Sequence, residues 1–207
     1  MTQSARSAAP GLIFDLDGTL VDTMPIHYRA YQQTFAEAGI ELTPEDFFGN
    51  IGGKASETIP RFLRGRSCAR SVDELHARKQ ELARQLLHTE DLPVLAAAEL
   101  VTAFRGVLPI ALASSGSRSG IEVILDRLGW RGHFDAIVTG QDAPRGKPAP
   151  DIFLLAAEQL AVPPGRCVVF EDTDDGVAAG RAAGMTVFDV RRAQAPSSVV
   201  LALARSR

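Results

Sequence analysis

Cysteine is scarce: two in 207 residues, Cys68 and Cys167, and neither stands in a metal-ligand pair spacing. That excludes a disulfide framework. Cys167 lies inside an apolar run and reads as a core thiol, whereas Cys68, near Arg66 and Arg70, reads as a surface one. No uncharged apolar run reaches the length of a membrane span, and the opening MTQSARSAAP has no apolar stretch of the signal-peptide kind. An excess of one charge is missing too. Lys and Arg number 22 against 25 Asp and Glu, a formal −3, which argues against a broad surface for nucleic acid or anionic membrane. Internal repeats and low-complexity tracts are absent. The expectation is a soluble, cytoplasmic, monomeric protein whose partner is a small acidic or phosphorylated metabolite, with no nucleic acid and no membrane.

What is present is apolar and regularly punctuated. Hydrophobic residues make up 45% of the chain, enough to close a sizeable core. Short apolar runs bounded by turn residues recur at Leu12 to Phe14, Leu108 to Ala113, Ala136 to Val138, Cys167 to Phe170 and Thr186 to Val190. They read as buried parallel strands. Helical patterns over Ser119 to Leu128, Pro150 to Leu160 and Asp174 to Ala183 alternate with them, the pattern of a doubly wound α/β sheet. Gly129 and Gly184 stand where helices should stop, and Asp174 resembles an N-cap.

The first and second strands are separated by about ninety residues, far more than a crossover needs. That stretch carries helix-period patterns at Tyr28 to Ala38, Ala55 to Leu63 and Val72 to Leu87 and no convincing strand. It reads as an inserted helical cap. The division is then 1–22 with 94–207 as core and 23–93 as cap, with hinges at Asp22 to Pro25 and Asp91 to Pro93.

In an open parallel sheet, ligands bind beyond the carboxyl ends of the strands. There the sequence puts Asp15 and Asp17 after the first strand, Ser114 at the end of the second, Lys147 in the loop after the third, and Glu171-Asp172 at the end of the fourth. Carboxylates, a hydroxyl and an ammonium on one rim are what a divalent metal plus a phosphoryl group requires. Two carboxylates at i and i+2 leave a strand on the same side, and Gly18 lets the chain turn sharply after them. One carboxylate can attack phosphorus to give an acyl phosphate while the other moves protons. Mg²⁺ takes oxygen ligands and keeps several waters, so Asp15, Asp172 and a backbone carbonyl suffice as the protein's share. Lys147 and the Ser114 hydroxyl would offset charge on the phosphoryl oxygens. A nucleotide-binding glycine loop at Gly140 to Lys147 is rejected, because Gly140 and Gly146 are one residue too far apart and Pro148 replaces the required Ser or Thr.

The run Phe14-Asp15-Leu16-Asp17-Gly18-Thr19-Leu20-Val21-Asp22-Thr23 resembles the first motif of the haloacid dehalogenase-like superfamily; Ser114, Lys147 and Glu171-Asp172 resemble its second, third and fourth. The resemblance runs from about Gly11 to Val190 and implies a Rossmann-like core with a helical cap inserted after the first motif, together with Mg²⁺. It implies Asp15 as nucleophile and Asp17 as acid/base that also gives its carbonyl to the metal. Asp172 is implied as a carboxylate ligand, with Glu171 in or next to the metal shell. The chain is similar to the β-phosphoglucomutase and fructose-1-phosphatase branch, in which cap residues matching His27, Lys54 and Lys79 face the substrate. The mutases carry Arg where Lys54 stands, and Lys cannot reproduce an Arg fork on a distal phosphate.

The implied activity is a Mg²⁺-dependent phosphatase of small phosphorylated sugars or sugar acids, the alternative being a β-phosphoglucomutase. A phospho-receiver module fits poorly, since that fold is shorter and carries no such insertion. A non-catalytic relic would commonly have lost Asp15 or Asp17, and dehalogenation would be expected without a carboxylate at Asp17. His76, His88 and His133 have no partner pattern and read as structure or surface.

Overall fold

The computed structural model describes residues 9–51 and 55–192. Five parallel strands form one sheet in the order β3-β2-β1-β4-β5: β1 Gly11–Phe14, β2 Ile110–Ser114, β3 Ala136–Thr139, β4 Cys167–Glu171 and β5 Thr186–Asp189. The strand order reverses at β1, flanked by β2 (Leu12 opposite Ile110) and by β4 (Leu12 opposite Val168). Such a switch point is where doubly wound sheets hold their ligands.

Both faces of the sheet are covered, so the strands read as unbroken apolar runs. One face presents Leu12, Phe14, Leu112 and Phe170 to helices α5 (Ala98–Phe104) and α6 (Arg118–Arg127). The other presents Ile13, Ala111, Val138 and Val169 to α7 (Asp151–Leu160) and α8 (Asp174–Ala182). Phe14 and Phe170 stack at 4.5 Å across β1 and β4, fixing the two strand ends from which Asp15 and Glu171 emerge.

Between β1 and β2 lie α1 (Met24–Ala36), α2 (Pro44–Asn50), α3 (Ala55–Phe62) and α4 (Val72–Thr89) before α5 is reached. These helices close their own small core around Tyr31, Phe35, Leu42, Phe47, Ile59 and Leu75. The chain enters and leaves them side by side: Asp22 N donates to Pro93 O at 2.9 Å, and Leu95 N to Leu20 O at 2.9 Å. On the return side Arg127 of α6 donates to Leu87 O and Glu90 O at 2.7 and 2.6 Å. A guanidinium thus caps the carbonyl end of α4 and ties it to the core.

Several local readings are corrected. Helix α1 begins at Met24 with Pro25 in its first turn, so those two residues belong to the helix and not to a linker; Pro is at home there because its missing N–H has no partner to lose. Helices α2 and α5 were not anticipated, although Thr43 and Asp46 form a capping box legible in the sequence. At α8 the N-cap is Thr173, whose hydroxyl accepts from Gly176 N at 3.1 Å, and Asp174 is the first helical residue. Gly129 and Gly184 have φ of 68° and 73°, as helix-ending glycines should. Cys167 is buried.

Candidate active site

Asp15 follows β1 directly, its N–H donating to Phe170 O at 3.0 Å. The backbone then coils over Leu16, whose carbonyl accepts from the N–H groups of Thr19, Leu20 and Val21. Gly18 makes this possible. Its φ is +84°, and a Cβ there would lie 2.3 Å from Asp172 Oδ2, so the loop after β1 passes against the carboxylate after β4 only because no side chain intervenes.

Lys147 is buried at the centre of this rim. Its ammonium donates to Asp15 Oδ1 at 2.6 Å, to Glu171 Oε1 at 2.5 Å and to Ala113 O at 3.4 Å. Burial works against its charge, but Asp15 and Glu171 outweigh that and hold its pKa above the ordinary lysine value. Asp15 is pushed well above the usual carboxylate range, by burial first; Lys147 opposes this, while Glu171, Asp172 and Asp17 add to it. Asp172 is raised to about 6, again chiefly by burial, with the charge of Glu171 next.

Glu171, expected in or next to a metal shell, spends both oxygens inside the protein. Oε1 holds Lys147, and Oε2 accepts from Thr173 N and Thr173 Oγ1 at 2.7 and 2.9 Å. A Cβ on Gly176 would fall 1.9 Å from this carboxyl group, so α8 can start here only with glycine at that position.

Asp17 is held from three sides. Oδ1 accepts from Thr23 Oγ1 at 2.5 Å and meets His27 Nε2 at 3.1 Å, while Oδ2 accepts from Ser114 Oγ at 3.2 Å. On the far side of His27, Nδ1 lies 3.4 Å from Lys79 Nζ, and the Lys79 ammonium sits 4.8 Å over the ring of Tyr31. That nitrogen pair can form a hydrogen bond only if one partner lacks a proton there. Burial draws Lys79 down to about 8, opposed by Asp17. Burial also disfavours the charged form of Asp17, yet His27, Thr23 and Lys79 together hold its carboxyl well below the usual range.

The donor set suits a hard divalent cation. Asp15 Oδ2, Asp172 Oδ2 and the Asp17 carbonyl accept no hydrogen bond among the described residues, whereas Asp172 Oδ1 accepts from Thr19 Oγ1 at 2.9 Å. Three open oxygens amid mutually repelling carboxylates fit Mg²⁺, which takes few protein ligands and keeps its waters. Among the described residues no three His, Cys, Asp or Glu side chains close on a common point.

One cavity joins most of these groups, though Asp172 is not in its lining. Asp15, Asp17, His27, Lys79, Ser114 and Lys147 all line it, as do Gln80 and Arg84 of α4 and Ser117 and Gly120 at the start of α6. Of the residues expected at the site, Lys54 lies outside the described residues. Sequence reasoning missed Thr23, assigned to helix entry: it stands at the N-cap of α1 but makes no side-chain cap bond, because its hydroxyl is taken by Asp17. Thr173 was also missed, although a Thr directly before an acidic first turn is a capping signal. No described helix is long and apolar enough to cross a membrane.

The family model "haloacid dehalogenase-like hydrolase" matches residues 10–184. The chain is 35% identical over 183 residues to the fructose-1-phosphate phosphatase YqaB of Escherichia coli, covering 87% of this chain and 96% of that one. It is 33% identical to a phosphorylated carbohydrates phosphatase of Thermotoga maritima, over 84% of this chain and 81% of the other. CbbY from Rhodobacter sphaeroides, solved in complex with phosphate, superposes with a TM-score of 0.80 at 29% identity, over 91% of each chain. With a family model spanning most of its length and relatives matched nearly end to end, this chain belongs to the haloacid dehalogenase-like hydrolases.

Proposed function

We propose that the chain is a Mg²⁺-dependent phosphatase of small phosphorylated sugars or sugar acids that passes the phosphoryl group through Asp15, with residues 23–93 acting as a cap over the core. It is a phosphoric monoester hydrolase. One observation carries the reading: Asp15 has one oxygen fixed by buried Lys147 and the other without a hydrogen bond among the described residues, in a cavity shared with the Asp17–His27–Lys79 chain.

An oxygen of Asp15 attacks phosphorus, the bond from phosphorus to the leaving oxygen breaks, and a proton from Asp17 goes to that oxygen. Water then attacks the acyl phosphate, gives its proton to Asp17 and releases phosphate and free Asp15. Lys147 and Ser114 stabilise charge on the phosphoryl oxygens. When bound, Mg²⁺ supplies further neutralisation of that charge, held by Asp15, Asp172 and the Asp17 carbonyl. Glu171 positions Lys147. In the arrangement described Asp17 is held ionised, the form that takes a proton from water.

The test is a substrate panel with Mg²⁺: fructose 1-phosphate, 6-phosphogluconate, and β-glucose 1-phosphate with a trace of β-glucose 1,6-bisphosphate, following phosphate and glucose 6-phosphate together. Phosphate release is expected to exceed glucose 6-phosphate formation. Fast glucose 6-phosphate formation with little phosphate would make the enzyme a mutase.

The pKa of Asp172 gives a second expectation. A carboxylate raised to about 6 in the folded state favours folding below its ordinary value and loses that contribution as pH rises through 6. Mg²⁺ competes with the proton for the same oxygens. Addition of Mg²⁺ is therefore expected to raise the melting temperature clearly at pH 7.5 and little at pH 5. An equal rise at both values would remove Asp172 from the ligand set.

A further inference from the structure

Among the described residues four cationic or potentially cationic side chains line the cavity, and three are committed. Lys147 is bound by Asp15 and Glu171, His27 meets Asp17, and Lys79 is packed between His27 and the Tyr31 ring. Arg84 has no hydrogen-bond, ion-pair or ring partner among the described residues, although it lines the same cavity and is exposed to solvent. Its place on α4 is informative. The residues of α4 that line the cavity form one stripe, with Lys79 at one edge and Arg84 at the other. They are five positions apart, about 7.5 Å along the helix axis, and differ by about 140° around it. Lys79 meets the His27–Asp17 pair at one edge of the stripe, and Arg84, at the other edge, lies away from that pair both along and around the helix. Ser117, the N-cap of α6, and Gly120 in its first turn line the cavity as well, where helix geometry favours negative charge.

A guanidinium presents a rigid fork of donors that matches carboxylate or phosphate oxygens. Among the described residues the carboxylates that line this cavity are Asp15, Asp17 and Glu171; each already has a partner and none bonds Arg84, which leaves its fork for a ligand. Resting on the phosphatase reading above, we propose that Arg84 is a specificity-determining residue that grips an anionic group, a carboxylate or a second phosphate, at the end of the substrate remote from the transferred phosphoryl group.

The test uses two matched pairs of substrates that differ only at the remote end: fructose 1,6-bisphosphate against fructose 1-phosphate, and 6-phosphogluconate against glucitol 6-phosphate. In Arg84→Gln, KM for the anion-ended member of at least one pair is expected to rise about tenfold or more, with kcat within twofold. The neutral-ended member should be unaffected, and Arg84→Lys should restore part of the loss. Which pair responds tells a distal phosphate from a distal carboxylate. Equal changes in both members of each pair, or none in either, would overturn the proposal. The same comparison by calorimetry in an Asp15→Asn background reads Arg84 through affinity alone. Failure of the phosphatase reading would show instead as absence of phosphate release by the wild-type protein, whatever Arg84 does to binding.

Discussion

Asp15→Asn is expected to abolish turnover, by about 10⁴-fold or more, because a carboxamide cannot form the acyl phosphate on which both half-reactions depend. The substitution is close to isosteric, and Lys147 keeps its bond to Glu171, so the fold should survive. Acid-quenched reactions with labelled substrate should trap a phosphoenzyme in the wild type and none in the variant. Steady-state turnover within tenfold of the wild type would rule out Asp15 as the nucleophile, and so would a trapped phosphoenzyme in Asp15→Asn.

Lys147→Met is expected to remove activity and also to cost about 3–5 kcal/mol of stability, because it strips the cation from a buried group of carboxylates. Lys147 and its partners Asp15 and Glu171 are nearly inaccessible to solvent. Without the ammonium, burial and the neighbouring carboxylates drive the Asp15 pKa up unopposed. A carboxylate raised in the folded state destabilises as pH rises through its folded value, so the deficit should be larger at pH 7.5 than at pH 5. Denaturant midpoints at the two values measure it. Adding Glu171→Gln to Lys147→Met should recover part of the stability while leaving turnover absent. A deficit independent of pH, or an active Lys147→Met enzyme, would mean that Lys147 does not neutralise this cluster.

The polar groups at the sheet edge were legible because strand ends are strongly marked. A parallel strand covered on both faces is an unbroken apolar run, so the first polar residue after each run marks the ligand edge; Asp15, Ser114 and Glu171 were all found in that way. The strands and the three anticipated core helices, α6, α7 and α8, came within one or two residues of their observed ends. Helices α2 and α5 escaped because each has only seven residues, too short to carry two turns of clear periodicity. For α2 the capping box and Pro44 were the usable signals. Thr23 and Thr173 escaped for a related reason: a threonine beside a helix start is ordinarily read as a cap, and what its hydroxyl bonds in space is not written in the local pattern.

The sequence by itself determined the doubly wound core, the inserted helices and the four groups gathered at the sheet edge, since these follow from apolar periodicity and from which residues end each run. Only the tertiary structure decided what each charged group does, because burial and distance set the roles of identical side chains. Glu171 and Asp172 are neighbours in sequence, yet one has both oxygens bonded inside the protein and the other leaves an oxygen open beside Gly18. Lys79 and Arg84 lie on one helix and line one cavity, yet Lys79 is buried against His27 and Tyr31 while Arg84 stands exposed with no partner among the described residues. Charge alone does not distinguish such pairs; the desolvation each group undergoes and the partners within hydrogen-bond reach do, and both arise only when distant segments pack together.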